Sequence, residues 1–400
     1  YFQIYSSHLT LYMKSLRIVF FLLVFASLSC RKPYLPPQTS TSSSYLVVEG
    51  VIQSGSDSTT IKISKTVKLN DTTAKNPVTG ATVTVEGEKS GTYPLHDDNG
   101  NGQYVSAGLN LSSAQKYRLR INAGSSSYLS DYVEVKPTPV IDSVGYNVQN
   151  GKVNLYVNTH DPSNKTRYYR WEYEETWQFH SKYGSAWVLN ATATGIIGRT
   201  IDQQIYTCFA HNNSTHIVLN SSEKLAKDVI YQSPLIQIPL TSERVETEYS
   251  ILVRQYAVTQ DAYKFYQNIQ RTSEQLGDIF SAQPTEISGN IHCLSNPAEP
   301  VVGYITVGTV QSKRIFVHHE DLPGNVQTIY PYDCLQDTAL FDGPHHIDQV
   351  AAILYPNRDA HVPTIAVYKG SPLPVGFLYS SPECVDCTIR GNVHPPAWWR

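Results

Sequence analysis

From Tyr45 onward the chain is built of short runs in which apolar and polar residues alternate. Residues 45–52, 60–64, 81–86 and 117–121 each place apolar side chains at every second position, the period of a half-buried strand. Turn-forming clusters separate them: Ser54-Gly55-Ser56-Asp57, Asn76-Pro77-Val78-Thr79-Gly80 and Asn99-Gly100-Asn101-Gly102. Strands at this spacing, with no helical period between them, predict an N-terminal immunoglobulin-like β-sandwich over 45–137. It ends at Lys136-Pro137-Thr138-Pro139, because proline cannot donate to a strand ladder.

A larger β-rich domain is predicted over 140–400. Residues 141–146 and 152–157 alternate again, 168–179 is an aromatic-rich strand, and 301–307 and 313–317 resume the β pattern. One segment breaks it. Ala262, Phe265, Tyr266, Ile269 and Leu276 recur at helical spacing, with Thr259 as N-cap and Gly277 just past the end. They predict an amphipathic helix over 260–276 that lies across a sheet and closes the core of the second block. The fold class is therefore mainly β.

The front of the chain reads differently. Lys14 and Arg17 precede an apolar run over 18–26, then Ala26-Ser27-Leu28-Ser29 and Cys30. Basic start, apolar middle and small-residue exit describe a secretory signal over 13–29, too short to span a bilayer. A cysteine directly after the exit is where a lipoprotein is cut and acylated, although Ser27 stands where a lipobox usually has leucine. Two or three acyl chains on Cys30 meet the requirement for stable anchoring. Residues 1–12, upstream of the single methionine Met13, are expected to be read-through and are set aside. Residues 30–44 are rich in Pro, Ser and Thr, which suits an extended tether. Arg31 and Lys32 stand where some surface-exported lipoproteins carry acids, so the membrane face stays open.

A formal net charge of −3 lacks the basic excess a nucleic-acid partner needs. Once Cys30 is acylated, five cysteines remain: Cys208, Cys293, Cys334, Cys384 and Cys387. In an exported protein these are expected as disulfides, with one left over. Cys384 and Cys387 either bridge each other or send one partner to Cys334 or Cys293. A zinc site would need a second close ligand pair, and none is evident.

Three stretches carry candidate chemistry. Asp97-Asp98-Asn99-Gly100-Asn101-Gly102 matches half of an EF-hand loop, but position twelve is Gly108 and strands flank it. A glycine-rich hairpin turn explains the same residues. His318-His319-Glu320-Asp321 and His345-His346 with Asp348 offer ligand types without the spacing of a helical metal motif. No metal, cofactor or catalytic set is predicted from them. The aromatic stretch with Trp171, Tyr173 and Trp177 is either a packed core or an exposed platform for a sugar, a peptide or a transporter rim.

Several motifs together resemble a known family. Leu46-Val47-Val48-Glu49-Gly50, the run from Tyr249 to Tyr256, Glu274-Gln275-Leu276-Gly277-Asp278, Gly289-Asn290-Ile291, Val302-Gly303-Tyr304, Cys384-Val385-Asp386-Cys387 and Trp398-Trp399 carry the likeness. The chain resembles the Bacteroidota envelope lipoproteins catalogued as domain of unknown function 4249. The resemblance implies an outer-membrane lipoprotein beside a TonB-dependent transporter, and no catalytic residues. The expectation is a non-catalytic accessory or ligand-capture subunit, anchored through Cys30, whose ligand is a small molecule or peptide held by Trp171, Tyr173 and Trp177. The alternatives are a structural component of the envelope without a small ligand, and an envelope hydrolase or metal-dependent enzyme.

Overall fold

The computed structural model describes residues 44–67, 76–190, 195–274, 289–324, 326–340, 360–370 and 372–399. Cys30, the signal, tether residues 30–43, the His345/His346/Asp348 group and residues 275–276 lie outside them.

The fold is mainly β, as its alternation predicts. Eleven of the described strands bond into one set around Leu46–Gln53. Thr59–Lys65 pairs with this strand antiparallel on one side. On the other side Val301–Val302 and Thr306–Gly308 pair with it in parallel, and Thr306–Gly308 continues in parallel to Val133–Lys136. These two short strands were expected in the second block. A period of two identifies a strand but not its sheet. Val301, Ile305 and Val307 instead bury against Leu46, Ile52 and Ile61 in the first core. Chain from beyond residue 290 thus completes the first block, across the boundary expected near 137–140. Its parallel pairs also depart from the antiparallel sheets of an immunoglobulin-like sandwich.

The second block is built of two sheets packed around one core. Ile141–Gln149, Lys152–His160 and Val229–Pro239 form one sheet. The strands Thr207–Asn213 and Val218–Ser221, then Tyr168–His180, Glu248–Ala257 and Val310–His318, form the facing sheet. The chain passes to the second sheet after Lys152–His160, returns for Val229–Pro239 and crosses again to Glu248–Ala257. Val153, Leu155 and Val157 project inward from one side, and Tyr169, Trp171, Phe179, Tyr249 and Val253 from the other. Burying these aromatic side chains supplies much of the drive to fold, at about 1.5–3 kcal/mol for each large apolar side chain.

The helix Gln260–Glu274 begins as predicted: the Ala262 amide donates to Thr259 Oγ1 at 3.2 Å. It does not close the sandwich core. Ala262 packs with Val51, Tyr256 and Val258 in a separate cluster joining the outer face of the sandwich to the first block. A further small sheet of Asp337–Leu340, Gly376–Ser380 and Val362–Val367 carries the C-terminal region. Disulfides Cys334–Cys384 and Cys208–Cys387 tie that region to itself and to the sandwich.

Candidate functional site

A cleft of about 900 Å³ lies between the first sheet and the outer face of the sandwich. Its floor follows from strand alternation. Along Tyr168–His180, odd-numbered side chains enter the core, which leaves Arg170, Glu172 and Glu174 on the outer face. The neighbouring strand places Tyr256 opposite Arg170 and Arg254 opposite Glu172. The helix contributes Phe265, Tyr266 and Ile269, and the first block Val47, Glu49 and Gln53.

The floor charges are paired with one another. Arg170 Nη1 donates to Glu172 Oε1 at 2.7 Å, and Arg254 Nη1 to Glu174 Oε1 at 2.8 Å. The Tyr256 hydroxyl donates to the other Glu172 oxygen at 3.1 Å. The Arg170 guanidinium lies over the rings of both Tyr256 and Tyr266, 4.8 Å from each centroid. Burial pushes the Tyr256 phenol up, and the adjacent Glu172 carboxylate adds to the rise, so it stays protonated as a donor. Burial alone would lower the Arg170 pKa, but Tyr266, Glu172 and Tyr256 outweigh it and the net shift is upward.

Two polar atoms of the cleft walls have no partner. Arg170 Nε is a buried donor without an acceptor, and Gln53 Oε1 a buried acceptor without a donor. Gln53 is only 8 % exposed. Such atoms are uncommon in folded proteins, because each costs about 1–3 kcal/mol. Both residues line the cleft, while the two atoms themselves are turned away from solvent.

A family model covers this part of the chain. The model described as Domain of unknown function (DUF4249) matches residues 31–314. The chain belongs to that family. The matched span contains every cleft-lining residue, from Val47 to Ser312, and excludes the C-terminal sheet with Cys334, Cys384 and Cys387. A search of curated proteins found no match.

The residues singled out in the sequence fall elsewhere. Trp171, Tyr173 and Trp177 are 1 %, 4 % and 8 % exposed. They form sandwich core and not an open platform; Tyr173 alone also borders the cleft. Alternation correctly set Glu172 and Glu174 opposite the tryptophans, but the aromatic cluster drew attention to the wrong face. The signal for the cleft was the Arg-x-Glu-x-Glu run itself, three charged residues on one strand face.

Cys384 reaches Cys334, one of the partners foreseen, while Cys387 reaches Cys208. Cys293 is the free and buried cysteine among the described residues, its thiol 3.6 Å from Glu299. In the Asp97 loop the carboxylate accepts the Asn101 and Gly102 amides at 3.0 and 2.9 Å. Gly100 and Gly102 take positive φ, as a hairpin turn requires. His318 pairs with Glu248 at 3.1 Å and the His319 ring meets the Val245 carbonyl at 3.2 Å, so the two imidazoles serve separate contacts. Among the described residues no group of three or more His, Cys, Asp or Glu is placed to hold a metal ion.

Proposed function

We propose that this chain is a lipid-anchored envelope protein that captures a ligand in the inter-sheet cleft for a TonB-dependent outer-membrane transporter. The cleft carries the capture reading: it is large, open, and lined by polar groups held in fixed positions by aromatic contacts and ion pairs. Support for anchoring comes from the signal-like segment before Cys30, and for an exported location from the two disulfides. The transporter partner rests on the family resemblance.

A second reading, a structural envelope component that binds only protein, is favoured by large apolar side chains exposed in and around the C-terminal sheet. Ile201, Leu335, Ile365 and Leu373 are among them. A gentle-detergent pull-down of the tagged lipoprotein, with Cys30→Ala as control, tests the proposal. A stoichiometric transporter in the wild-type eluate supports it. Wild type recovered alone from the membrane removes the transporter assignment, and wild type found in the soluble fraction removes the anchor.

A further inference from the structure

We infer that the cleft binds a neutral, polyhydroxylated ligand, an oligosaccharide, with Arg170, Glu172, Arg254 and Glu174 supplying directed hydrogen bonds and Tyr266 a stacking face. This deepens the capture reading above and rests on it.

Charge comes first. Three basic side chains (Lys62, Arg170, Arg254) and four acidic ones (Glu49, Asp57, Glu172, Glu174) line the cleft. The floor charges are already satisfied in pairs at 2.7 and 2.8 Å. With both signs interleaved across the cleft, an anionic ligand meets the carboxylates and a cationic one the guanidinium groups, each repelled by near neighbours. A neutral ligand leaves both pairs standing.

The pairs nevertheless keep unused bonding capacity. A carboxylate offers about four acceptor sites and a guanidinium five donors. Glu172 spends one bond on Arg170 and one on Tyr256. The Glu172 and Glu174 side chains are 42 % and 40 % exposed, so their free lone pairs face the opening. The floor thus presents guanidinium donors and carboxylate acceptors side by side. A hydroxyl is both, and a ring bearing several hydroxyls can meet fixed donors and acceptors of mixed kind. Arg170 cannot turn away to satisfy itself, because two tyrosine rings clamp its guanidinium plane.

Peptide amides also donate and accept, but the usual way to hold an extended peptide is pairing at a free sheet edge. The strands that carry the floor charges have no free edge, and the outer strand Val310–His318 reaches the cleft only through Val310 and Ser312. Leu46–Gln53 is bonded on both sides, as are Tyr168–His180 and Glu248–Ala257. Recognition here runs through side chains on sheet faces. Planar hydrogen-bonding groups beside aromatic faces suit the polar rim and apolar face of a sugar ring. The volume suits several rings.

The test is a glycan array probed with the full-length lipoprotein in detergent, carrying neutral plant, fungal and host oligosaccharides, acidic oligosaccharides and, as a separate set, short peptides. Hits are quantified by calorimetry on wild type, Arg170→Lys and Tyr266→Ala. Arg170→Lys keeps the charge and removes the planar fork. The expected result is binding of a neutral oligosaccharide that weakens at least tenfold in both variants. Should Arg170→Lys fail to fold, as judged by circular dichroism, Tyr266→Ala at a partly buried position, or Tyr266→Leu if alanine unfolds it, carries the test alone. Binding confined to acidic glycans or peptides overturns the inference, as does no neutral hit, or a hit that the folded variants leave unchanged. Transporter co-purification is scored independently, so loss of the sugar leaves the capture subunit standing, whereas loss of the transporter does not decide the sugar.

Discussion

Trp171 and Gln255 stand directly opposite on adjacent strands, and the indole N–H donates to the Gln255 amide oxygen at 2.9 Å. The same amide donates to the Pro139 carbonyl at 2.8 Å and to Thr159 Oγ1 at 2.9 Å. All of Gln255 is buried. One side chain therefore fastens the inter-block linker to the sandwich core through a fully satisfied polar network. Gln255→Leu should orphan the Trp171 N–H and the Pro139 carbonyl. The expected loss is about 2–6 kcal/mol, from about 1–3 for each of these two buried unsatisfied groups. Urea unfolding followed by tryptophan fluorescence measures it; an unchanged midpoint would show that the network adds nothing.

The disulfides predict a difference between cores. Cys208 and Cys387 are 179 residues apart, so their bridge closes a long loop, worth about 2–5 kcal/mol on the chain-entropy account. Cys387→Ser should release the C-terminal segment whose Asn392 exchanges backbone hydrogen bonds with Phe209 at 2.8 and 2.9 Å. Limited proteolysis should then cut after residue 380 while the first block stays intact. Equal sensitivity of both regions would mean that the bridge holds the whole molecule together.

How far the sequence led can be read from single strands. The alternation at 152–157 and 168–179 gave both element and face, because period two maps directly onto the two sides of a sheet. It could not say that 301–307 leaves the second block, since strand partners are chosen by long-range burial and not by local pattern. The Thr259 cap was legible as a short-range hydrogen bond. The cleft was not, because it exists only where two blocks distant in sequence face each other. The pairing of Cys387 with Cys208 was hidden for the same reason.

Acid should weaken the sandwich through Asp161. Burial alone would raise its carboxyl, but the Ser163 hydroxyl and the amides of Thr166, Ser163 and Lys165 outweigh this and hold it at about 2. A carboxyl held below its ordinary value stabilises the fold while ionised. That contribution is complete above about pH 4 and is lost as pH falls through about 2. The stability gap between wild type and Asp161→Asn should accordingly shrink between those limits, measured by thermal melting. A gap that widens on acidification would reverse the assignment.

Gly303 sits where a side chain has no room. Its φ is +153°, and an added Cβ would come within 2.3 Å of the Val48 carbonyl oxygen. Gly303→Ala should force Val301–Val302 and Thr306–Gly308 away from Leu46–Gln53, costing more than the 1–3 kcal/mol of backbone strain alone. Hydrogen exchange should show lost protection on Val48 and Ile52 ahead of the sandwich strands. Protection lost evenly across the protein would instead mean global unfolding.

The late arrival of residues 301–308 in the first sheet has a consequence for how the molecule is made. A chain emerging amino-end first exposes Leu46–Gln53 for more than two hundred residues of synthesis before its parallel neighbours exist. Until then the strand offers an unpaired, apolar side to any other nascent chain. A fragment that stops at residue 137 keeps that hazard permanently, and should recover as aggregate even though its own turns and hairpins are intact. The first block is earliest in sequence and among the last parts to be finished.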